Sequence, residues 1–305
     1  MFDNIIGNDK IKQELAHSIK ANMNSHSYLF LGTQGIGKKM IAKELAKMLL
    51  CIGEEKYCNK CKSCIEFDTE NNPDFFMILP DGNSIKIEQI REMQRKIVEE
   101  PIISKKKVYI IDDSDKMTKE AQNALLKILE EPPQYVVIIM IGSNENNYLT
   151  TIKSRCNIIK FQDIPDEEIK KYLKNKYGVS SIDESMLKAF GGSIGRAEVL
   201  REKEDLYKSI YTIISKMEEL DIIDMLKEAD IIYKSQDDKF DVLDYINVIL
   251  FEKAKTKPKY INGIKIVENT KERLKANSNY NMCIDNMLFS LWEEMNFEKY
   301  SRNPI

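Results

Sequence analysis

The sequence has no excess of basic residues: 46 Lys and Arg face 49 Asp and Glu over 305 residues, a formal net charge of −3. That excludes a chain coated with cationic charge. It leaves room for a local phosphate-binding face, because affinity for nucleic acid depends on where cations sit rather than on their sum. Long apolar runs are also missing. The longest, YVVIIMI at 135–141, is far below the roughly 18 residues of a membrane span. The N-terminal segment MFDNIIGNDKIKQEL scatters its charges and carries no apolar stretch ending in small residues, so it does not read as a secretory signal and a cytosolic protein is expected. Internal repeats and low-complexity tracts are absent as well. With 43% hydrophobic and 31% charged residues, the composition is globular rather than disordered. The length predicts two or three domains.

Residues 1–163 alternate strand-length apolar runs with helix-period stretches, the pattern of a parallel sheet flanked by helices. The predicted strands are SYLFLG, DFFMIL, KVYIID, YVVIIMI and NIIKF. Ile11, Leu15 and Ile19, and then Ile41 and Leu45 followed by Met48 and Leu49, form helical stripes, and 119–130 reads as a helix stopped by Pro132 and Pro133. Beyond 163 the strands disappear. Pro165 followed by three acids marks a helix start. The Gly191–Gly192 pair breaks 164–205 into short helices, and 206–305 carries longer amphipathic ones. The expectation is an α/β domain at 1–163 and two all-helical domains at 164–205 and 206–305.

Four of the six cysteines fall within 14 residues, unlike the spread-out disulfide framework of a small secreted domain. Cys51, Cys58, Cys61 and Cys64 give Cx6CxxCxxC, and four thiolates can complete a tetrahedral zinc shell that folds a loop too short for a core of its own. The competing reading is an iron–sulfur cluster, since the bacterial ferredoxin run also begins CxxCxxC. That run continues through three residues to Cys-Pro, whereas here Ile65, Glu66 and Phe67 lead to Asp68, and zinc is favoured. Cys156 and Cys283 read as small buried apolar residues.

GTQGIGKK at 32–39 follows a predicted strand and precedes a helical stripe, the context a P-loop requires. Gly32, Gly35 and Gly37 would let backbone N–H groups face phosphate oxygens, and Lys38 would reach the terminal phosphates. The next position should be Ser or Thr, whose hydroxyl ligates magnesium, and here it is Lys39. An ammonium cannot ligate a cation, so magnesium-assisted hydrolysis is not expected to be efficient. The alternative is a turn kept for its shape alone. KVYIIDDSD at 107–115 ends a strand in acid, the Walker B arrangement, with Asp112 as the metal-side carboxylate and Asp113 as the activator of water. Asp113 is one methylene shorter than the Glu many ATPases use. On its own, this run could simply be a strand end whose acids cap the next helix.

The stretches SHSYLFLGTQGIGKK, the cysteine insert, NPDFFMILPDGNSIKIEQIR, KMTKEAQNALLKILEEPP, TIKSRC and GGSIGRA, in this order over roughly residues 5–200, resemble the AAA+ clamp-loader family. The resemblance implies a nucleotide-binding α/β domain with a zinc insert, a small helical lid and a helical collar. The collar holds a five-subunit ring with gamma/tau and delta subunits, and the ring uses ATP to place the sliding clamp on primed DNA in the bacterial cytoplasm. It implies that Arg155, in SRC, projects into the ATP site of a neighbouring subunit, where an arginine finger stabilises charge on the transferring phosphoryl group; otherwise Arg155 is a surface ion-pair partner. Ser143 falls near the family's sensor-1 position and Arg196 near its sensor-2 position. The departures at Lys39 and Asp113 point to a stationary, poorly hydrolysing subunit. The competing readings are an ATP-hydrolysing motor working through Lys38, Asp112 and Asp113, and a zinc-dependent nucleic-acid module using Lys60 and Lys62. No carboxylate cluster of a polymerase or nuclease is evident outside the nucleotide site.

Overall fold

The structure is a computed structural model, and it describes residues 2–301 other than 3, 22, 56, 179–181 and 183. The chain divides into two compact units, Met1–Tyr177 with Gly192–Gly195, and Gly178–Gly191 with Arg196–Ile305.

The first unit is built on five strands, β1 (Ser27–Leu31), β2 (Phe75–Ile78), β3 (Lys107–Ile111), β4 (Val136–Gly142) and β5 (Asn157–Lys160). They lie in the order β2-β3-β4-β1-β5, and every pairing is parallel. All five coincide with predicted strands. β1, β3 and β4 are buried along their whole length, as the unbroken apolar runs demand, because the central strands of a parallel sheet are covered on both faces. The helices of this unit are α1 (Asp9–Lys20), α2 (Lys38–Leu50), α3 (Lys62–Asp68), α4 (Ile87–Ile97), α5 (Lys119–Glu130), α6 (Thr150–Lys153) and α7 (Asp166–Tyr177). The stripes read from sequence are the buried ones: Leu15 and Ile19 on α1, and Ile41, Leu45, Met48 and Leu49 on α2. Helix α5 starts where Thr118 caps the Ala121 N–H, a Ser/Thr cap that satisfies one orphan donor. One apolar core joins α4 and α5 to β3 and β4 through Ile90, Met93, Leu125, Tyr109 and Ile138.

The second unit is helical among its described residues. Its elements are α8 (Glu184–Phe190), most of α9 (Ile194–Glu202), α10 (Glu204–Lys216), α11 (Ile222–Glu228), α12 (Asp230–Tyr233), α13 (Lys239–Ala254), α14 (Tyr260–Lys275) and α15 (Tyr280–Ser301). Tyr207, Ile246, Val267 and Leu288 are fully buried. Gly263 on α14 brings that helix against Leu291 and Met295, either of which a Cβ at 263 would meet at 3.1 Å. No described helix is long and apolar enough to cross a membrane.

Candidate nucleotide and metal sites

Helix α2 has a candidate site at each end. Its N-cap is Gly37 and its C-cap is Cys51, about 20 Å apart at 1.5 Å per residue.

At the first end, β1 runs into the loop 32–37. Gly35 and Gly37 hold φ of +79° and +93°, left-handed backbone that only glycine adopts without strain. The segment 192–195 lies against this loop: the Gly195 N–H donates to the Gly35 carbonyl at 3.0 Å, and a Cβ at 195 would sit 3.0 Å from the Gly35 Cα. Lys38 is 6% exposed, and its amine donates to the Gly32 and Thr33 carbonyls at 2.6 and 2.7 Å. Burial pushes this ammonium below its ordinary value, and the charges of Asp115, Asp112 and Asp113 oppose the shift.

Two of the acids after β3 are paired with lysines. The Lys39 Nζ lies 2.9 Å from Asp112 Oδ2, with the Asp112 side chain 16% exposed. Asp113 sits at φ +46° and pairs with Lys116 at 2.8 Å. Asp115, which no sequence pattern singles out, has one oxygen accepting from the Ser143 hydroxyl at 3.2 Å and from the Asn144 N–H at 3.1 Å. Its other oxygen is buried with no hydrogen-bond partner. The one signal for Asp115 is its place in the run DDSD, two residues beyond the predicted pair. The structure thus gathers Gly32, Gly35, Gly37, Lys38, Lys39, Asp112, Asp113 and Ser143 beyond the C-terminal ends of β1, β3 and β4. Arg196 belongs to the second unit, where it pairs with Asp244 at 2.7 Å.

Arg155 stands elsewhere. It follows α6 and precedes β5, and its carbonyl accepts from the hydroxyl of Ser27, the first residue of β1. The phosphate loop follows the last residue of the same strand, about 13 Å further on at 3.3 Å per residue. Arg155 is therefore at the opposite end of the sheet from its own chain's loop. Its guanidinium is anchored by Glu130 at 2.8 Å, by the Thr151 carbonyl at 3.1 Å and by the Ser154 hydroxyl at 3.2 Å. Glu130 carries no sequence signal of this role; the contact joins α5 to the β5 approach across 25 residues of sequence.

At the second end, the sulfur atoms of Cys51, Cys58, Cys61 and Cys64 lie within 4.8 Å of one another, with Cys51 to Cys58 at 3.6 Å and Cys51 to Cys61 at 4.0 Å. A tetrahedral zinc with sulfur ligands at about 2.3 Å sets its sulfurs about 3.8 Å apart, so the four residues fit the ion. Backbone N–H groups of Cys61 and Cys64 point at the Cys58 and Cys61 sulfurs at 3.3 and 3.5 Å, orienting the ligands as outer-shell donors do. Burial acts to raise the Cys61 thiol, but the N–H groups of Cys64 and Ile52 and the neighbouring thiols outweigh it and hold the group at about 6. Burial raises Cys64. Gly53 admits the Cys58 sulfur, which would lie 2.8 Å from a Cβ there. Cys283 is buried as expected, while Cys156 is only part-buried, with burial pushing its thiol up to about 12.

Beneath the cysteines lies a buried polar network with no obvious sequence signature. Ser63 bonds Leu50, Ser104 and Asn72. Asn72 accepts from the Asp74 N–H, and the fully buried Asp74 carboxylate takes the N–H groups of Ile102, Ile103 and Ser104 at 2.6 to 2.8 Å. Buried polar groups are as a rule partnered in this way, and together these bonds fasten the cysteine module to β2 and to the loop before β3.

The sequence family described as DNA polymerase III, delta subunit, matches residues 7–165. Over 161 residues the chain is 38% identical to DNA polymerase III subunit delta' of Bacillus subtilis (strain 168), covering 52% of this chain and 49% of that protein. It is 36% identical over 191 residues to DNA polymerase III subunit gamma of Buchnera aphidicola subsp. Schizaphis graminum (strain Sg), covering 61% and 52%. The chain thus spans about half the length of these relatives. Among solved structures, a DNA polymerase III gamma subunit-related protein of Thermotoga maritima matches with a TM-score of 0.58 at 18% identity, covering 92% of this chain and 99% of that one, a likeness of fold.

Proposed function

The chain belongs to the DNA polymerase III delta subunit family, whose match spans residues 7–165, and from that membership we propose that it is the delta-prime subunit of a bacterial clamp loader. In this reading it is a stationary, cytoplasmic member of a five-subunit ring with gamma/tau and delta subunits, and it helps to place the sliding clamp on primed DNA. Residues 1–163 form its AAA+ nucleotide-binding-like domain, 164–205 a lid and 206–305 the collar, the last four residues lying outside the described ones. Cys51, Cys58, Cys61 and Cys64 hold a structural zinc ion. Its contribution to ATP turnover is Arg155, offered to the motor subunit beside it.

The observation that carries this reading is the position of Arg155 at the end of the sheet opposite the phosphate loop of its own chain. An arginine so placed cannot serve the site it shares a chain with, and a finger supplied in trans stabilises transition-state charge by as much as about a thousandfold or more in rate. The alternative of a gamma-type motor is disfavoured by the acids. Asp112 and Asp113 are each ion-paired to a lysine of the same chain, which a magnesium ion would have to displace before either carboxylate could hold it or activate water.

The test is ATP turnover by the cognate motor and delta subunits with clamp and primed DNA, with this chain added as wild type, as Arg155→Ala, or omitted. Stimulation by the wild type that Arg155→Ala loses is the expected result. If Arg155→Ala stimulates as well as wild type, the trans-acting role is wrong.

A further inference from the structure

In a phosphate loop of this kind the residue after the loop lysine gives a hydroxyl to magnesium, and the strand-end acid holds the same ion. Here the first group cannot ligate that ion and the second is already ion-paired. The first is Lys39, and its ammonium lies 2.9 Å from the carboxylate of the second, Asp112. We propose that Lys39 is a built-in cation standing in the divalent-metal position, so that this site takes the polyphosphate chain of a nucleoside polyphosphate without a divalent metal.

The surrounding charges agree. Three lysines, Lys38, Lys39 and Lys116, lie among three aspartates, Asp112, Asp113 and Asp115, so the site carries cations of its own. Asp113 is held by Lys116, and Asp115 accepts from Ser143 and Asn144. A divalent ion arriving at Asp112 would displace an ammonium tethered by its own chain, and would then share the site with that displaced charge. A tethered cation acts at a high effective concentration because its own chain holds it beside the carboxylate. The phosphate cradle is kept apart from this pair. Gly35 and Gly37 hold the left-handed backbone of the loop, and Lys38 is bonded to two neutral carbonyls rather than to a carboxylate, so an anion can take it over without breaking an ion pair. The inference rests on reading residues 32–39 as a phosphate cradle. It is independent of what Arg155 does.

The full-length chain is titrated into a fluorescent N-methylanthraniloyl ATP in magnesium-free buffer and again with magnesium. A chelating resin treats the buffer beforehand, so that no chelator touches the cysteine site. The wild type is expected to bind equally, within about twofold, in the two buffers, and Lys39→Thr to bind at least about tenfold more tightly with magnesium than without. Lys38→Ala, which removes the phosphate contact, is expected to lose binding in both. Manganese bound per chain, read by electron paramagnetic resonance in the presence of ATP, should rise by one equivalent only in Lys39→Thr. Retained zinc and an unchanged circular dichroism spectrum show that each variant is folded. Wild-type binding that requires magnesium, equal binding of Lys39→Thr in both buffers, or no binding by the wild type at all would each overturn the proposal. The ring assay with Arg155→Ala reads the proposed function separately, so either can fail alone.

Discussion

The two ends of helix α2 solve the same electrostatic problem in opposite ways. At the N-terminal end, acids that could hold a metal sit beside lysines of the same chain, and the charges close on themselves: Asp112 on Lys39, Asp113 on Lys116. At the C-terminal end, Cys51 begins a set of four sulfurs within 4.8 Å. Its ligands are steered by backbone N–H groups, and one thiol is held at about 6. Thiolates packed this closely repel one another, and a divalent ion is the economical counter-charge. A motif's metal demand is thus set by what already neutralises its ligands, not by the ligand types alone. An acid at a strand end beside a phosphate loop suggests magnesium until the side chain opposite it is identified.

The largest expected effect lies at the cysteine end. Cys61→Ser with Cys64→Ser should abolish zinc retention and unfold the module at 51–64, because structural zinc contributes on the order of 10 kcal/mol in small peptides. Elemental analysis for zinc and limited proteolysis between 52 and 62 read this. Full zinc content in the double variant would break the contrast between the two ends. Next comes the network under the module. Asp74→Ala leaves the N–H groups of Ile102, Ile103 and Ser104 without their acceptor and should cost about 3 kcal/mol or more, measured by chemical denaturation. A loss below about 1 kcal/mol would mean that water replaces the carboxylate and that the module is fastened elsewhere. Gly195→Ala, whose new methyl would sit 3.0 Å from the Gly35 Cα, is expected to cost about 1 to 3 kcal/mol by overpacking the phosphate loop, with zinc content unchanged. A change at the cysteines would show that the two ends are not independent.

The smallest effect is a pH-dependent control in the second unit. Burial opposes ionisation of Glu218, but Lys257 and the Tyr260 hydroxyl, with help from Lys259, outweigh it and hold the carboxyl at about 2. A depressed acid contributes stability above its ordinary value near 4.5, and that stability is lost as pH falls through the folded value of about 2. Glu218→Gln should therefore be less stable than wild type by about 1 kcal/mol at neutral pH. The gap should close as pH drops from about 4.5 toward 2, followed by denaturant titration at each pH. A gap that persists at the acid end would assign the effect to packing rather than charge.

Much of the fold and of both sites is legible in the order of residues alone. The five strands announce themselves because a parallel sheet buries both faces, so each strand is a short unbroken apolar run. The loop at 32–39 and the cysteine spacing are local patterns whose geometry is set by a few neighbouring residues. What sequence does not supply is pairing across distance. Lys39 meets Asp112 from 73 positions away, and Arg155 meets Glu130 from 25. Asp74 reaches the N–H groups at 102–104 only because β2 and β3 lie side by side. Lys39 is recognisable as a wrong ligand from sequence, but its positive role on Asp112 needs the fold. Asp115 escapes notice because the strand-end pattern directs attention to the two acids before it, and because its partners at 143 and 144 arrive from the end of β4.

If the pairing of Asp112 with Lys39 and of Asp113 with Lys116 keeps this chain from hydrolysing ATP, the isolated chain is inert. The most direct test is steady-state ATP turnover by the isolated full-length chain with magnesium, comparing wild type with Lys38→Ala. No turnover above that of Lys38→Ala is expected. Sustained magnesium-dependent turnover by the wild type that Lys38→Ala abolishes would contradict it, and would make this chain a motor rather than a stationary partner.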